Sequence, residues 1–206
     1  MLYGLTGSSG SGKTTLARTV AESLSAEFIP TSITASGKRH GFDPVALMSL
    51  QDRIQLQHHL LDDLLELIKT AQRPAILDRT PIDLIGYMYA EIDMHSHIRL
   101  SAQDIDKIEA YRERCLTETA AWFDHVFVTT PLPVYENAET RPVQNAAYQH
   151  HSQMIMEGAM YQLTGRVNFS ILRPSDLDTR IEHVHDTIVA RMNLIDQQKR
   201  GAKGLH

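Results

Sequence analysis

Residues 7–14 read Gly-Ser-Ser-Gly-Ser-Gly-Lys-Thr, an instance of G-x-x-x-x-G-K-[ST], and this run constrains the chain more than any other feature. Glycines at 7, 10 and 12 allow positive φ, so successive backbone N–H groups can turn toward one anion. The run follows Leu2-Tyr3-Gly4-Leu5-Thr6, which reads as a short buried strand, and opens a helical pattern from Lys13 to Ala26. A helix starting there adds the positive end of its dipole. The pattern assigns Gly7, Ser8, Ser9, Gly10, Ser11, Gly12, Lys13, Thr14 and Thr15 to a nucleoside triphosphate. Lys13 supplies a cation for the β- and γ-phosphates, and the Thr14 hydroxyl is a ligand for Mg²⁺.

The rest of the chain alternates short apolar runs with helical patterns, predicting an αβα sandwich around a five-stranded parallel sheet. The further strands are Phe28–Pro30, Pro74–Asp78, His125–Thr129 and Val167–Leu172. Thr31–Phe42 is polar, basic and Gly-containing, and reads as an exposed loop. Asp43-Pro44 reads as the start of one long amphipathic helix, with Leu47, Leu50, Ile54, Leu61, Leu64, Leu65 and Ile68 on its apolar face and its end near Gln72. On this helix Arg53 and Gln57 share a face and read as a polar stripe toward water. Helices are predicted at Ile82–Asp93, Ala102–Phe123 (N-cap Ser101), Gln144–Thr164 and Asp176–Gln198, with Lys199–His206 a frayed tail.

With 206 residues, no linker and no repeat, residues 1–206 form one expected domain. Lys plus Arg number 20 against 25 Asp plus Glu, a net charge of −5 that argues against coating nucleic acid by bulk charge. Cys115 is the sole cysteine, which excludes an internal disulfide and a cysteine-rich zinc site and suits a reducing, cytoplasmic setting. No apolar stretch approaches the roughly 18 residues of a membrane span, and Met1–Leu16 lacks a signal-peptide core, so no membrane association is expected. The 11 histidines fall mostly in adjacent or alternate pairs on predicted helices and loops, where they diverge rather than chelate, and they read as surface or boundary residues.

A Mg²⁺-bound triphosphate needs a carboxylate from a neighbouring strand end, and Asp78 is so placed. Arg79 follows it, where ATP-hydrolysing motors commonly carry a water-polarising Glu; a guanidinium suits a second or transferring phosphate instead. As an alternative, Arg79 pairs with Asp83 four residues on as a structural couple. Arg141, in a polar segment at about 131–147, stands where a mobile lid would close on the γ-phosphate. Arg173 follows the last strand, in reach of a nucleotide base. Lys38, Arg39 and His40 form a basic cluster in the acceptor-side loop, about 31–43, suited to an acceptor phosphate or a DNA backbone.

The phosphate loop, Asp78-Arg79-Thr80-Pro81-Ile82-Asp83 with Tyr87, and Thr140-Arg141-Pro142 with Tyr148 resemble small P-loop kinases. The nearest group is the AAA-domain, nicotinamide-riboside-kinase-like proteins of phages and bacteria; thymidylate and deoxynucleoside kinases are more distantly similar. The resemblance runs through nearly the whole chain in element order and implies ATP- and Mg²⁺-dependent phosphoryl transfer to a nucleoside, nucleotide or related small metabolite. Lys13, Asp78, Arg79 and Arg141 would carry the chemistry, in a monomer or homodimer. One departure stands out. Deoxynucleoside kinases end their second strand with a carboxylate base, whereas this chain has Ile29-Pro30-Thr31-Ser32, leaving Asp78 or Asp43 to take a proton if one is transferred. Two alternatives remain: a phage-type kinase acting on a hydroxymethylated pyrimidine in DNA, and a nucleotide switch or ATPase without an acceptor.

Overall fold

The computed structural model describes residues 1–44, 46, 48–94, 99–132, 145–174 and 176–203. Five strands form one sheet: β1 (Leu2–Thr6), β2 (Glu27–Ile29), β3 (Ala75–Leu77), β4 (His125–Thr129) and β5 (Asn168–Leu172). Every pairing is parallel and the order is β2-β3-β1-β4-β5, the predicted architecture. The helices are α1 (Lys13–Ser23), α2 (Ile33–Arg39), α3 (Leu50–Thr70), α4 (Pro81–Met94), α5 (Ala102–Trp122), α6 (Ala146–Gln162) and α7 (Leu177–Lys203).

Strand alternation divides the interior into two cores. Tyr3, Leu5, Ile76 and Phe127 face one side, where they meet Leu16 and Val20 of α1 and Val184 and Ile188 of α7. Leu2, Ala75, Leu77, Val126 and Val128 face the other, against α3–α6. β1 is central: the chain builds β2 and β3 on one side of it and then crosses to β4 and β5 on the other. Its C-terminal end is therefore the switch point where an open parallel sheet forms its crevice.

Three boundaries depart from expectation. The segment read as a loop at Thr31–Phe42 contains α2, capped by Ser32, whose hydroxyl accepts from the Ala35 N–H. Its composition hid it because the buried residues are small. A side chain at Gly37 would collide with Pro44, so the helix docks through close approach instead of an apolar stripe. The following helix begins at Leu50, not at Asp43-Pro44, because Ser49 is its cap and accepts from the Asp52 N–H at 3.1 Å. Leu47 lies outside the described residues. At the C-terminus, α7 runs on to Lys203, five residues into the predicted tail.

Candidate active site

The phosphate loop joins β1 to α1 as expected, with φ of 148° at Gly7, 75° at Gly10 and 82° at Gly12. Gly7 is doubly constrained, since a Cβ there would overlap the Thr129 carbonyl on β4. Gly12 is the N-cap of α1 in the left-handed conformation, which presents the first N–H groups of the helix at the loop mouth.

Lys13 is buried, and its ammonium is fixed by the loop it serves. It donates to Gly7 O at 2.5 Å and Ser8 O at 2.9 Å. Asp83 Oδ1 lies 3.7 Å away and also accepts from the Gly7 N–H at 3.3 Å, while its Oδ2 accepts from the Thr80 N–H at 2.8 Å. Asp83 is fully buried, and burial raises its pKa; Lys13, Arg79 and the Thr80 hydrogen bond pull the other way. Sequence reading saw Asp83 only as an Arg79 partner, yet its hydrogen bonds go to the floor of the phosphate loop.

Asp78 follows β3 directly and lies beside the loop, as expected. The Thr14 hydroxyl donates to its Oδ2 at 3.0 Å. Its Oδ1 accepts from both the N–H and the hydroxyl of Thr31, at 2.8 and 2.6 Å. Thr31 thus brings the carboxylate of β3 to the end of β2, the position that has no acid of its own. Thr14 is exposed and Asp78 buried, so the pair opens a short oxygen-lined edge toward solvent. Two oxygens of this kind suit a hard divalent cation that draws its other ligands from water and phosphate. Among the described residues no three His, Cys, Asp or Glu side chains gather into a metal cage.

Arg79 donates to the Tyr87 hydroxyl at 2.9 Å, with its guanidinium 5.6 Å from that ring's centre. Burial opposes its charge, but Tyr87, Asp83 and Asp78 together outweigh burial and raise its pKa. From Tyr87 the polar wall continues to Tyr148, whose hydroxyl pKa is raised by burial, then by Glu91 and Tyr87, and on to the Arg53–Glu91 ion pair at 3.3 Å. Arg53 and Gln57 are therefore buried, not the water-facing stripe expected: Arg53 also donates to Pro44 O, and Gln57 accepts from the Tyr111 hydroxyl. Arg39 and His40 both pair with Asp63 of α3, which also accepts from Ser36. Two of the three members of the basic cluster are thereby engaged by one carboxylate. His125 departs from its expected boundary position; it is buried, and burial, then Arg191 and His183, lower its pKa to about 4.

Arg141 lies outside the described residues, as does most of the expected lid at 131–147. Arg173 is exposed just after β5. A nearby residue that sequence reading passed over, Arg180 of α7, is buried and donates to Ser11 O at 2.7 Å and Thr130 O at 3.0 Å. Gln149 and Gln153 of α6 also reach the loop, at Ser9 O (2.6 Å) and the Ser8 N–H (3.0 Å). These residues carry no motif; the expectation that Arg and Gln face water hid all three.

A family model described as AAA domain matches residues 3–180. No curated protein matches the chain. Among solved structures, deoxyadenosine kinase from M. mycoides with bound dCTP has a TM-score of 0.67 at 16% identity, covering 92% of this chain and 100% of that one. NadR protein in complex with NAD and AMP-PNP has a TM-score of 0.59 at 21% identity, covering 91% of this chain and 48% of the other. YorR protein from Bacillus subtilis, in complex with phosphorylated GDP, has a TM-score of 0.52 at 12% identity, covering 96% and 98%. At these identities the likeness is one of fold, the P-loop αβα sandwich.

Proposed function

The chain belongs to the AAA-domain family, and from that premise we propose that it is an ATP- and Mg²⁺-dependent phosphotransferase whose acceptor is a nucleoside, nucleotide or related small metabolite. The observation that carries this reading is the 3.0 Å hydrogen bond from the Thr14 hydroxyl to Asp78 beside a positive-φ glycine loop. The kinase titles of the structural neighbours, deoxyadenosine kinase among them, support the same reading.

In this reading the loop N–H groups and Lys13 cradle the β- and γ-phosphates, and Thr14 and Asp78 hold Mg²⁺. The bound ion would neutralise phosphate charge as it develops. An acceptor oxygen forms a bond to the γ-phosphorus while the bond to the β,γ-bridging oxygen breaks, and ADP leaves; a phosphate acceptor has no proton to lose, and a hydroxyl acceptor gives its proton up to water. Arg79, steadied by Tyr87, orients the transferring or acceptor phosphate. Arg141 closes from the lid, and Arg173 meets the base. Asp78 already accepts three hydrogen bonds, which favours its organising the metal over serving as the base for a hydroxyl.

ADP release measured against a panel of nucleosides and nucleotides tests the proposal. Acceptor-stimulated turnover is the expected result; turnover with water alone, unmoved by any acceptor, overturns it. The alternative of a pyrimidine base within DNA loses its main support, because Arg39 and His40 are paired with Asp63. An ATPase or switch reading has nothing in its favour at Arg79, where a water-polarising carboxylate would stand. No described helix is long and apolar enough to cross a membrane.

A further inference from the structure

α6 is the first described element after residues 133–144, and it holds the phosphate loop by two side chains. Gln149 and Gln153, four residues apart on one face, are 4% and 5% exposed. Gln149 Nε2 donates to Ser9 O, and the Ser8 N–H donates to Gln153 Oε1. A peptide N–H can only donate and a carbonyl can only accept, so the two amides must point opposite ways. Gln153 is held in its sense by a bond from its Nε2 to Glu157 Oε1 at 3.1 Å.

Packing alone does not call for these glutamines. Met156, Ala159, Met160 and Leu163 already seat α6 on the core, and burying two long amides costs side-chain entropy and desolvation that apolar residues would avoid. What they touch explains them. Ser8 and Ser9 form the arc between Gly7 and Gly10, the stretch whose flanking glycines leave it the most backbone freedom. Arg180 anchors the next part of the loop, at Ser11 O. Lys13 of α1 holds the Ser8 carbonyl from within the loop; the two glutamines add the Ser8 N–H and the Ser9 carbonyl, the polar groups of this arc that α6 reaches.

We infer that Gln149 and Gln153 are positioning residues that set the Ser8–Ser9 arc for the triphosphate, so that the placement of α6 governs how the loop receives it. This rests on the loop binding a nucleotide, as proposed above, but not on the identity of the acceptor. The test is calorimetric titration of the full chain with a non-hydrolysable ATP analogue and Mg²⁺, with melting temperature recorded for each variant. Gln149→Leu and Gln153→Leu should each weaken analogue binding about tenfold, the size of one lost buried hydrogen bond. Gln149→Glu and Gln153→Glu bring the same charge near the phosphates, yet the first removes the donor to Ser9, whereas the second keeps an acceptor for Ser8 and gives up only its bond to Glu157, outside the loop. Gln149→Glu should therefore bind more weakly than Gln153→Glu. The exchange Gln153→Glu with Glu157→Gln preserves both hydrogen bonds and sets no like charges side by side, so it should bind the analogue more tightly than Gln153→Glu alone. Folded variants that all bind like the parent, or losses that follow melting temperature regardless of hydrogen-bond polarity, overturn the inference. If the parent itself binds no analogue, the nucleotide reading fails. If it binds but phosphorylates no acceptor, only the proposed reaction fails.

Discussion

The phosphate side and the acceptor side of the crevice are held by different kinds of bond. At the phosphate loop the contacts are buried and made largely to main chain: Lys13 to two carbonyls, Asp83 to the Gly7 N–H, Gln149, Gln153 and Arg180 to the loop arc. At α2 the polar ties to α3 converge on one partly exposed side chain, Asp63, which accepts from Ser36, Arg39 and His40, beside the stacking of His40 on His59. Main-chain anchors inside a core move only if the fold gives way, whereas exposed side-chain pairs are weak and screened by salt. The difference teaches that the phosphate loop is held by main-chain anchors inside the core, while the polar ties of α2 lie nearer the surface.

Four experiments bear on this contrast. The largest effect is expected from Lys13→Ala, which should cost about 3 kcal/mol or more of transition-state stabilisation in single-turnover phosphoryl transfer. The same variant strips Asp83 of its cation. Burial already raises the Asp83 pKa with the lysine in place, so the folded variant keeps a proton that the unfolded chain has shed. Its stability should be greatest in acid and fall as pH rises through the Asp83 pKa, seen as a melting temperature that declines toward neutral pH more steeply than the parent's.

Asp78→Asn comes next. The amide oxygen can keep both Thr31 bonds while its NH2 meets the Thr14 hydroxyl, which turns to accept. Charge-assisted hydrogen bonds are thereby exchanged for neutral ones, at a loss of roughly 1–2 kcal/mol in chemical denaturation. It should also raise the Mg²⁺ concentration needed for half-maximal activity. Arg79→Lys keeps the charge but gives up the planar fork on Tyr87, and should lower kcat about tenfold while leaving the KM for ATP near that of the parent. An equal rise in both KM values would place Arg79 on the wrong side of the crevice.

Asp63→Asn is expected to be the mildest, costing no more than about 1 kcal/mol of stability, with the KM for acceptor raised and that for ATP unchanged. Burial works against ionising Asp63, but the hydrogen bonds from Ser36, Arg39 and His40 prevail and lower its pKa. Its contribution is therefore present above the ordinary carboxylate range and is lost as pH falls through the lowered value. High salt should erase most of the difference between parent and variant. A collapse in ATP binding would break the contrast between the two sides.

How much of this was legible in the sequence follows the same divide. The strand, loop and helix from Leu2 to Ser23 were readable because the glycine spacing followed at once by Lys13-Thr14 leaves few alternatives. Asp78 was readable because a carboxylate closes an apolar run. On the acceptor side the signals were weaker or conflicting. Asp43-Pro44 and Ser49-x-x-Asp52 are both valid helix starts, and only packing chooses the second. α2 buries Ser36 and Gly37, residues that periodicity does not register. Arg53, Gln57, Gln149, Gln153 and Arg180 were missed for one physical reason: their hydrogen-bond partners come from distant elements, so nothing in their neighbours along the chain announces that they are buried.

Thr31 gives its backbone N–H and its hydroxyl to the same carboxylate oxygen of Asp78, while the other oxygen serves Thr14. That one residue is where the acceptor half of the crevice grips the phosphate half. A rearrangement of the stretch just before α2 cannot leave Asp78 undisturbed, because two of the three bonds that aim it would have to stretch or break. Under the proposed reading, a molecule seated against Thr31 would be felt at Asp78, the carboxylate that also holds Thr14.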